Sequence, residues 1–381
     1  MKIYNTLTRK KEDFKSLEDK KVRIYVCGIT PYDTTHLGHA FVYVSFDAFI
    51  RYLKSKDYSV DYTQNVTDID DDILRKAKEE NKNWKNLGQF WTDKFLEDLK
   101  FLNVAMPNHY VKATGSVDKI IEIVGDLQNK ELAYERKGNV YYDVKKFKKY
   151  GELSKYNEEQ MILISKERGA DPEDPLKKDP LDFILWQKQK GGEPAWESPW
   201  GKGRPGWHIE CSAMINKFLG DRIDIHGGGR DLIFPHHESE IAQSESYTQE
   251  EPFVKYWMHI SMVMYEGEKM SKSLGNLIMV SDLKKNYSSN AIRWLLLSHH
   301  YREPWEFDYS EMDEAQEKIK KIEKALRKNK EAGSPDLLWS ELESFLSDDF
   351  NTPRVLELIE ASIGKNSSFA RKSLNILGFN F

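Results

Sequence analysis

Cysteine is nearly missing from this chain: Cys27 and Cys211 are the only two in 381 residues. No disulfide framework can be built from them, so the fold must rest on a buried core, and a reducing, cytoplasmic setting is expected. Long apolar runs are missing too. No stretch approaches the roughly 20 residues of a membrane span, and Met1-Lys-Ile-Tyr-Asn-Thr-Leu7 has no apolar core of a signal peptide. A surplus of positive charge is also absent, because 57 Lys and Arg face 62 Asp and Glu, for a net charge of −5. Proteins that grip nucleic acid mainly through phosphates often carry a net basic domain. Any such partner would here have to meet a local basic patch. No internal repeat or low-complexity tract is present.

What is present describes a soluble globular protein, with 39% hydrophobic and 31% charged residues. The length suits two domains. Val22-Arg-Ile-Tyr-Val-Cys27 is a short β-rich run that predicts a buried first strand. Residues 28–35 read as loop. Residues 40–54 carry helical spacing, with Phe46, Phe49, Ile50 and Leu53 on one face. Val60 to Val66 reads as a second strand. Strand, glycine-bearing turn, helix and strand make a βαβ unit and hence a parallel sheet. Residues 112–180 form a Lys-rich, insertion-like stretch. A helix is expected from Trp207 to Phe218, and a strand over Arg222 to His226 that the Gly227–Gly229 turn ends. Helical pattern dominates beyond Asn290. The expected architecture is α/β: a Rossmann-like nucleotide-binding catalytic domain over residues 1–285 and a small helical domain over 286–381.

Three groups of residues carry chemistry. His36-Leu-Gly-His39 opens the first helix, whose N-terminal N–H groups and positive dipole end suit phosphate. Gly38 allows close approach, and both imidazoles can donate to phosphoryl oxygens. Glu268-Lys-Met-Ser-Lys-Ser273 places Lys269 and Lys272 in a loop able to stabilise charge at a triphosphate. Each motif alone is weak, and the pair is far more specific. The third group is Cys27, Cys211 and Phe234-Pro-His-His-Glu-Ser-Glu240, which together offer two thiolates, imidazoles and carboxylates for Zn²⁺. A buried core cysteine is the plain alternative for Cys27, and core packing is the plain alternative for Trp207. The residue types leave His236 or His237, and Glu238 or Glu240, open.

The paired phosphate motifs resemble those of class I aminoacyl-tRNA synthetases, over residues 4–308. Cys27-Gly-Ile-Thr30, Asn65-Val-Thr-Asp-Ile-Asp-Asp71, Gly203-Arg-Pro-Gly-Trp-His-Ile-Glu-Cys211 and His226-Gly-Gly-Gly229 resemble the cysteine-activating branch of that class. The resemblance implies an enzyme, an ATP-dependent, AMP-forming cysteine ligase with one Zn²⁺ per chain and Mg²⁺ entering with ATP. It implies zinc ligands at Cys27, Cys211, His236 and Glu240, and catalytic roles for His36, His39, Lys269 and Lys272. Positions matching the cysteine and ATP contacts are Cys27, Gly28, Ile29, Thr30, Asn65, Val66, Thr67, Trp207, Gly227, Gly228, Gly229, Asp231 and Val263. Val42 departs from the Thr common at its position.

Two members of the branch share all these residues and differ in the acceptor. One is the mycothiol-pathway ligase, which passes cysteine to the amine of glucosaminyl-inositol, and the other is cysteinyl-tRNA synthetase. Glu167-Arg-Gly-Ala-Asp-Pro172 resembles the ligase's signature, and only 28 residues follow Pro353 of Ser347-Asp-Asp-Phe-Asn-Thr-Pro353. Both favour glucosaminyl-inositol as the expected acceptor. The wording of residues 206–214 and 237–244 favours the alternative, tRNA. A non-catalytic binding paralogue would be expected to have lost its phosphate motifs, which are intact here. A monomer away from membranes is expected in either case.

Overall fold

The structure is a computed structural model that describes residues 1–32, 35–270, 274–328 and 335–381. Its central elements follow in chain order. β1 (Lys21–Ile29) leads into α1 (Leu37–Ser55), β2 (Ser59–Val66) and β3 (His109–Lys112). Next come α2 (Glu158–Glu167), α3 (Trp207–Leu219), β4 (Ile223–Gly229), α4 (Glu238–Thr248) and β5 (Val254–Ile260). The C-terminal part is helical: α5 (Ser289–Leu297), α6 (Tyr309–Leu326), α7 (Pro335–Leu346), α8 (Thr352–Ser362) and α9 (Ser367–Ile376).

The five strands form one sheet in the order β5-β4-β1-β2-β3, and every neighbouring pair is parallel. Parallel strands need covered faces, and β1 and β4 are buried along most of their length. After β1 the chain crosses through α1 to β2 on one side, while β4 lies on the other. Strand order therefore reverses at β1, and a crevice opens beyond the C-terminal ends of β1 and β4. Ligands in open α/β sheets bind at such switch points.

Two close backbone approaches shape this end of the sheet. A Cβ on Gly28 would lie 1.5 Å from the Asn65 carbonyl oxygen, at the point where the β1–β2 register shifts. A Cβ on Gly227 would lie 2.0 Å from the Phe46 ring of α1. The glycine run does not end β4 as the sequence pattern suggests. The strand continues through Gly229, with Gly227, Gly228 and Gly229 paired to Met258, His259 and Ile260 of β5. Paired strand geometry costs these glycines nothing sterically, and the missing side chain of Gly227 lets Phe46 of α1 pack directly on the sheet.

Residues 133–205 contribute a second, antiparallel sheet of four strands: Ala133–Arg136, Asn139–Tyr142, Phe183–Lys188 and Gly203–Pro205. Its last strand hands directly to α3. Helices α5 to α9 share one hydrophobic core with α1. A buried ion pair ties them together. Arg293 of α5 donates to the Asp47 carboxylate of α1, to the Leu377 carbonyl (2.7 Å) and to the Leu102 carbonyl (3.0 Å). Asp47 also accepts from Arg51 (2.9 Å) and from the Ala105 N–H (2.9 Å). Among the described residues no helix is long and apolar enough to cross a membrane.

Arg293 and Asp47 are essentially solvent-free, and removing one partner strands a buried charge. Asp47→Ala is expected to destabilise the fold by about 3–5 kcal/mol, measured by denaturant unfolding. Arg51→Ala, on the half-exposed partner, should cost about 1 kcal/mol or less.

Candidate active site

A cleft of about 600 Å³ occupies the switch point. Cys27, Gly28, Ile29 and Thr30 form its β1 edge, with Asn65 at the end of β2 and Thr67 just beyond it. His36 and His39 stand at the start of α1, Trp207, Cys211 and His236 at the deep end, and Gly229, Asp231, Val263 and Lys269 on the opposite wall. Val66, Gly227, Gly228 and Glu240 are not among the cleft's lining residues. Val66 is core, Gly227 faces Phe46, Gly228 lies against Leu232 and His237, and Glu240 lies deeper in the metal cluster. Lys272 falls outside the described residues.

The edge residues hold one another in place. The Gly28 N–H donates to Asn65 Oδ1 (2.7 Å), and Asn65 Nδ2 donates to Thr67 Oγ1 (3.3 Å). The Tyr43 hydroxyl of α1 donates to the Cys27 carbonyl (3.0 Å). Asn65 thus fixes both sides of the β1–β2 junction from a single side chain.

At the phosphate end, His36 is the N-cap of α1 and its Nδ1 accepts the His39 N–H at 3.2 Å. An accepting Nδ1 puts the proton of the neutral ring on Nε2. The His36 and His39 rings stack at 3.6 Å. The chain after the lysine loop returns to the same place: the Leu37 N–H donates to the Ile278 carbonyl (2.8 Å), and the Val280 N–H to that of Thr35 (2.9 Å). The segment just after the second motif is therefore hydrogen-bonded to the start of the first, more than 200 residues earlier in sequence.

The deep end is a buried donor cluster. Cys27, Cys211, His236 and Glu240 present one ligand atom each, all within 4.8 Å of one another. The two Sγ atoms are 4.0 Å apart, and His236 Nε2 is 3.1 Å from Glu240 Oε1. Sulfurs on one tetrahedral Zn²⁺, each at about 2.3 Å, lie about 3.8 Å apart, and a nitrogen–oxygen edge spans about 3.4 Å. The donors are already spaced for zinc. A second set, Cys27, His226, His237 and Glu240, is also close, but it holds one thiol instead of two and suits a soft-ligand site less well.

Burial dominates the electrostatics. It pushes the Cys27 thiol up, with Cys211 and Glu240 adding to the effect, and it raises the Glu240 carboxyl. It pulls His208, His226 and His259 down to about 3, and His236 and His237 well below the usual imidazole range. At neutral pH the imidazoles are neutral, with lone pairs to offer. A dication reverses the penalty on the Cys27 thiolate and the Glu240 carboxylate.

Supporting residues escape sequence reasoning. His236 Nδ1 meets His208 Nδ1 at 3.0 Å. A relay runs from the Thr6 hydroxyl to His259 Nδ1 (2.8 Å), from His259 Nε2 to His237 Nδ1 (2.7 Å), and from His237 Nε2 to Cys27 Sγ (3.3 Å). His237 thus supports Cys27 and not its neighbour His236. His226 Nε2 bonds Glu240 Oε2 at 2.9 Å. The signal for His208 was its place three residues before Cys211 on one helix, whereas His259 and Thr6 had none. Trp207 stacks on His236 at 4.4 Å and walls the cleft beside the cluster.

This sheet, switch-point cleft and phosphate-motif pair define a class I aminoacyl-tRNA synthetase catalytic fold. Solved structures agree: the chain matches Mycobacterium tuberculosis methionyl-tRNA synthetase in complex with methionyl-adenylate with a TM-score of 0.67 at 15% identity, covering 93% of this chain and 84% of that one. The family model described as tRNA synthetases class I (C) catalytic domain matches residues 13–317, and the chain belongs to this family of ATP-dependent ligases. Similar curated proteins include the cysteine--tRNA ligase of Thermodesulfovibrio yellowstonii, 45% identical over 98% of this chain and 80% of that protein. That of Methanococcus maripaludis is 46% identical over 96% and 80%. That of Pyrococcus horikoshii is 51% identical over 82% and 64%.

Cys211→Ser should lower zinc affinity by more than about 100-fold, since losing a mere supporting partner costs 10- to 100-fold. His208→Ala should lower it about 10-fold. Zinc per chain after dialysis against a chelator, with circular dichroism as the check on folding, measures both.

Proposed function

We propose that this chain is a cysteinyl-tRNA synthetase: it activates L-cysteine with Mg·ATP and transfers it to tRNA. The observation that carries the reading is a thiol-selecting donor cluster at the floor of a cleft whose mouth holds both phosphate motifs. Cys27, Cys211, His236 and Glu240 hold the metal in this reading. When bound, Zn²⁺ supplies a thiophilic Lewis acid that ranks a substrate thiolate above a hydroxyl, which supports selection without a separate editing site.

The substrate side chain points to the cluster, with Trp207 as its wall and Thr67 across from it. Its carboxylate then faces the mouth. That oxygen attacks the α-phosphorus of ATP, the bond to the β-phosphate oxygen breaks, and pyrophosphate leaves. His36 and His39 donate to the phosphoryl oxygens, and Lys269 with Lys272 offsets the charge on the leaving group. Gly229, Asp231 and Val263 take the nucleoside side. A tRNA hydroxyl next attacks the activated carbonyl, AMP leaves, and an ester forms.

The relatives support tRNA over the sugar amine expected first. They align over up to 98% of this chain, and each is named for a tRNA substrate. Glu167-Arg-Gly-Ala-Asp-Pro172 resembles the sugar-amine ligase locally, but it is six residues set against whole-chain identity of 45%.

Cysteine-dependent ATP–pyrophosphate exchange is the first test, and His39→Ala should lower its rate about 100-fold. Offering the purified protein tRNA and glucosaminyl-inositol separately should place cysteine on the tRNA 3′ end. Cysteine found on the sugar amine and never on tRNA would overturn the acceptor.

A further inference from the structure

Asp231 lies in the turn Arg230–Leu232 that follows β4. Among the described residues, two cations reach its carboxylate from different parts of the chain. Arg168, which ends α2, places Nη2 at 3.3 Å from Oδ2 and at 3.4 Å from the Asp231 carbonyl oxygen. Lys269, the first lysine of the phosphate loop, places Nζ at 3.9 Å from the same Oδ2. All three side chains line the cleft that holds His36 and His39.

The three side chains are 30–44% exposed. Ion pairs of this kind are weak and easily exchanged. Lys269 is therefore held, but not committed. A triphosphate carries several negative charges where Asp231 carries one, and a lysine on its flexible four-carbon stem can pass from one to the other. Were Asp231 then left bare, it would face the incoming phosphates as a like charge. Arg168 prevents this because it stays on the carboxylate through a second contact, to the backbone oxygen.

We infer that Asp231 is a positioning residue that parks Lys269 away from the phosphate path until nucleotide binds, with Arg168 as the counter-ion that lets the lysine leave. The inference rests on the reading of the cleft as an ATP site and adds a residue, Arg168, that this reading does not use. It differs from a plain nucleoside contact in what it acts on. A carboxylate that only touched the nucleoside would change adenosine binding and leave phosphate binding alone.

Calorimetric titration with inorganic tripolyphosphate, and separately with adenosine, tests it on wild type, Asp231→Asn, Lys269→Ala and the double variant. Tripolyphosphate should bind Asp231→Asn about 3-fold more tightly than wild type, within the range of an exposed pair. The gain should vanish when Lys269 is also Ala. Arg168→Gln should weaken tripolyphosphate about 3-fold in the wild-type background, with at most half that effect beside Asp231→Asn. Equal binding by wild type and Asp231→Asn would overturn the inference, and so would a gain that survives Lys269→Ala, because general charge repulsion then explains it. Both results leave the ATP-site reading standing. Failure of tripolyphosphate and adenosine to bind any form would remove the two together.

Discussion

Two thiols, a carboxyl and five imidazoles are buried together at the end of a parallel sheet, and water reaches almost none of them. An ionised group without a partner is unstable in such a place. The cluster has two stable solutions: every group neutral, or a dication that draws the thiolates and the carboxylate into charge. The donor spacing selects the second. Much of the surrounding structure serves that choice. α3 brings Cys211 and His208 to it, α4 brings Glu240, β1 brings Cys27, and β5 brings His259 behind them. The cleft that receives substrate is what remains above the cluster once these elements have converged.

The phosphate end works by the opposite logic. Its groups are half-exposed, its ion pairs are weak, and in the proposed reading its segments accept and release a charged ligand. The backbone bonds from Leu37 to Ile278 and from Val280 to Thr35 join the segment after the lysine loop to the start of α1. Rigid selection at one end and exchangeable contacts at the other are divided across the end of β1 and the residue after it, from Cys27 to Thr30. The adjoining Asn65, bonded to both Gly28 and Thr67, joins the two regimes.

How much of this could be read from the chain alone follows from where the information lies. His36, His39 and the lysine loop sit in contiguous motifs, each tied to a strand end or a helix start, and the resemblance they carry led to the right fold. Cys27 and Cys211 stand out because they are the only two cysteines in 381 residues, whereas His236 over His237 and Glu240 over Glu238 rested on the resemblance alone; all four lie within 4.8 Å of one another. The relay from Thr6 through His259 and His237 was invisible. Only the β4–β5 register and the packing of residues 5–7 against β5 bring those positions together, and neither leaves a pattern in sequence. The glycine run misled because glycine signals a turn on composition, whereas here it marks a strand on which Phe46 must lie. The acceptor is legible only in part for a different reason: the six residues Glu167–Pro172 resemble the sugar-amine ligase locally, while identity of 45% over 98% of the chain to a cysteine--tRNA ligase supports tRNA.

The N-terminal segment is wired into the metal pocket. Asn5 caps the Trp257 N–H (3.1 Å) and reaches the Lys255 carbonyl (3.0 Å) through its side chain, while the next residue, Thr6, supplies the far end of the relay to Cys27. The opening residues of a chain are ordinarily the safest place to attach a tag, graft a fusion or trim for crystallisation. Here a few ångströms of slippage in that segment would be transmitted through two imidazole rings to a metal-binding sulfur. For anyone handling this protein, Asn5 and Thr6 are a remote handle on thiol chemistry.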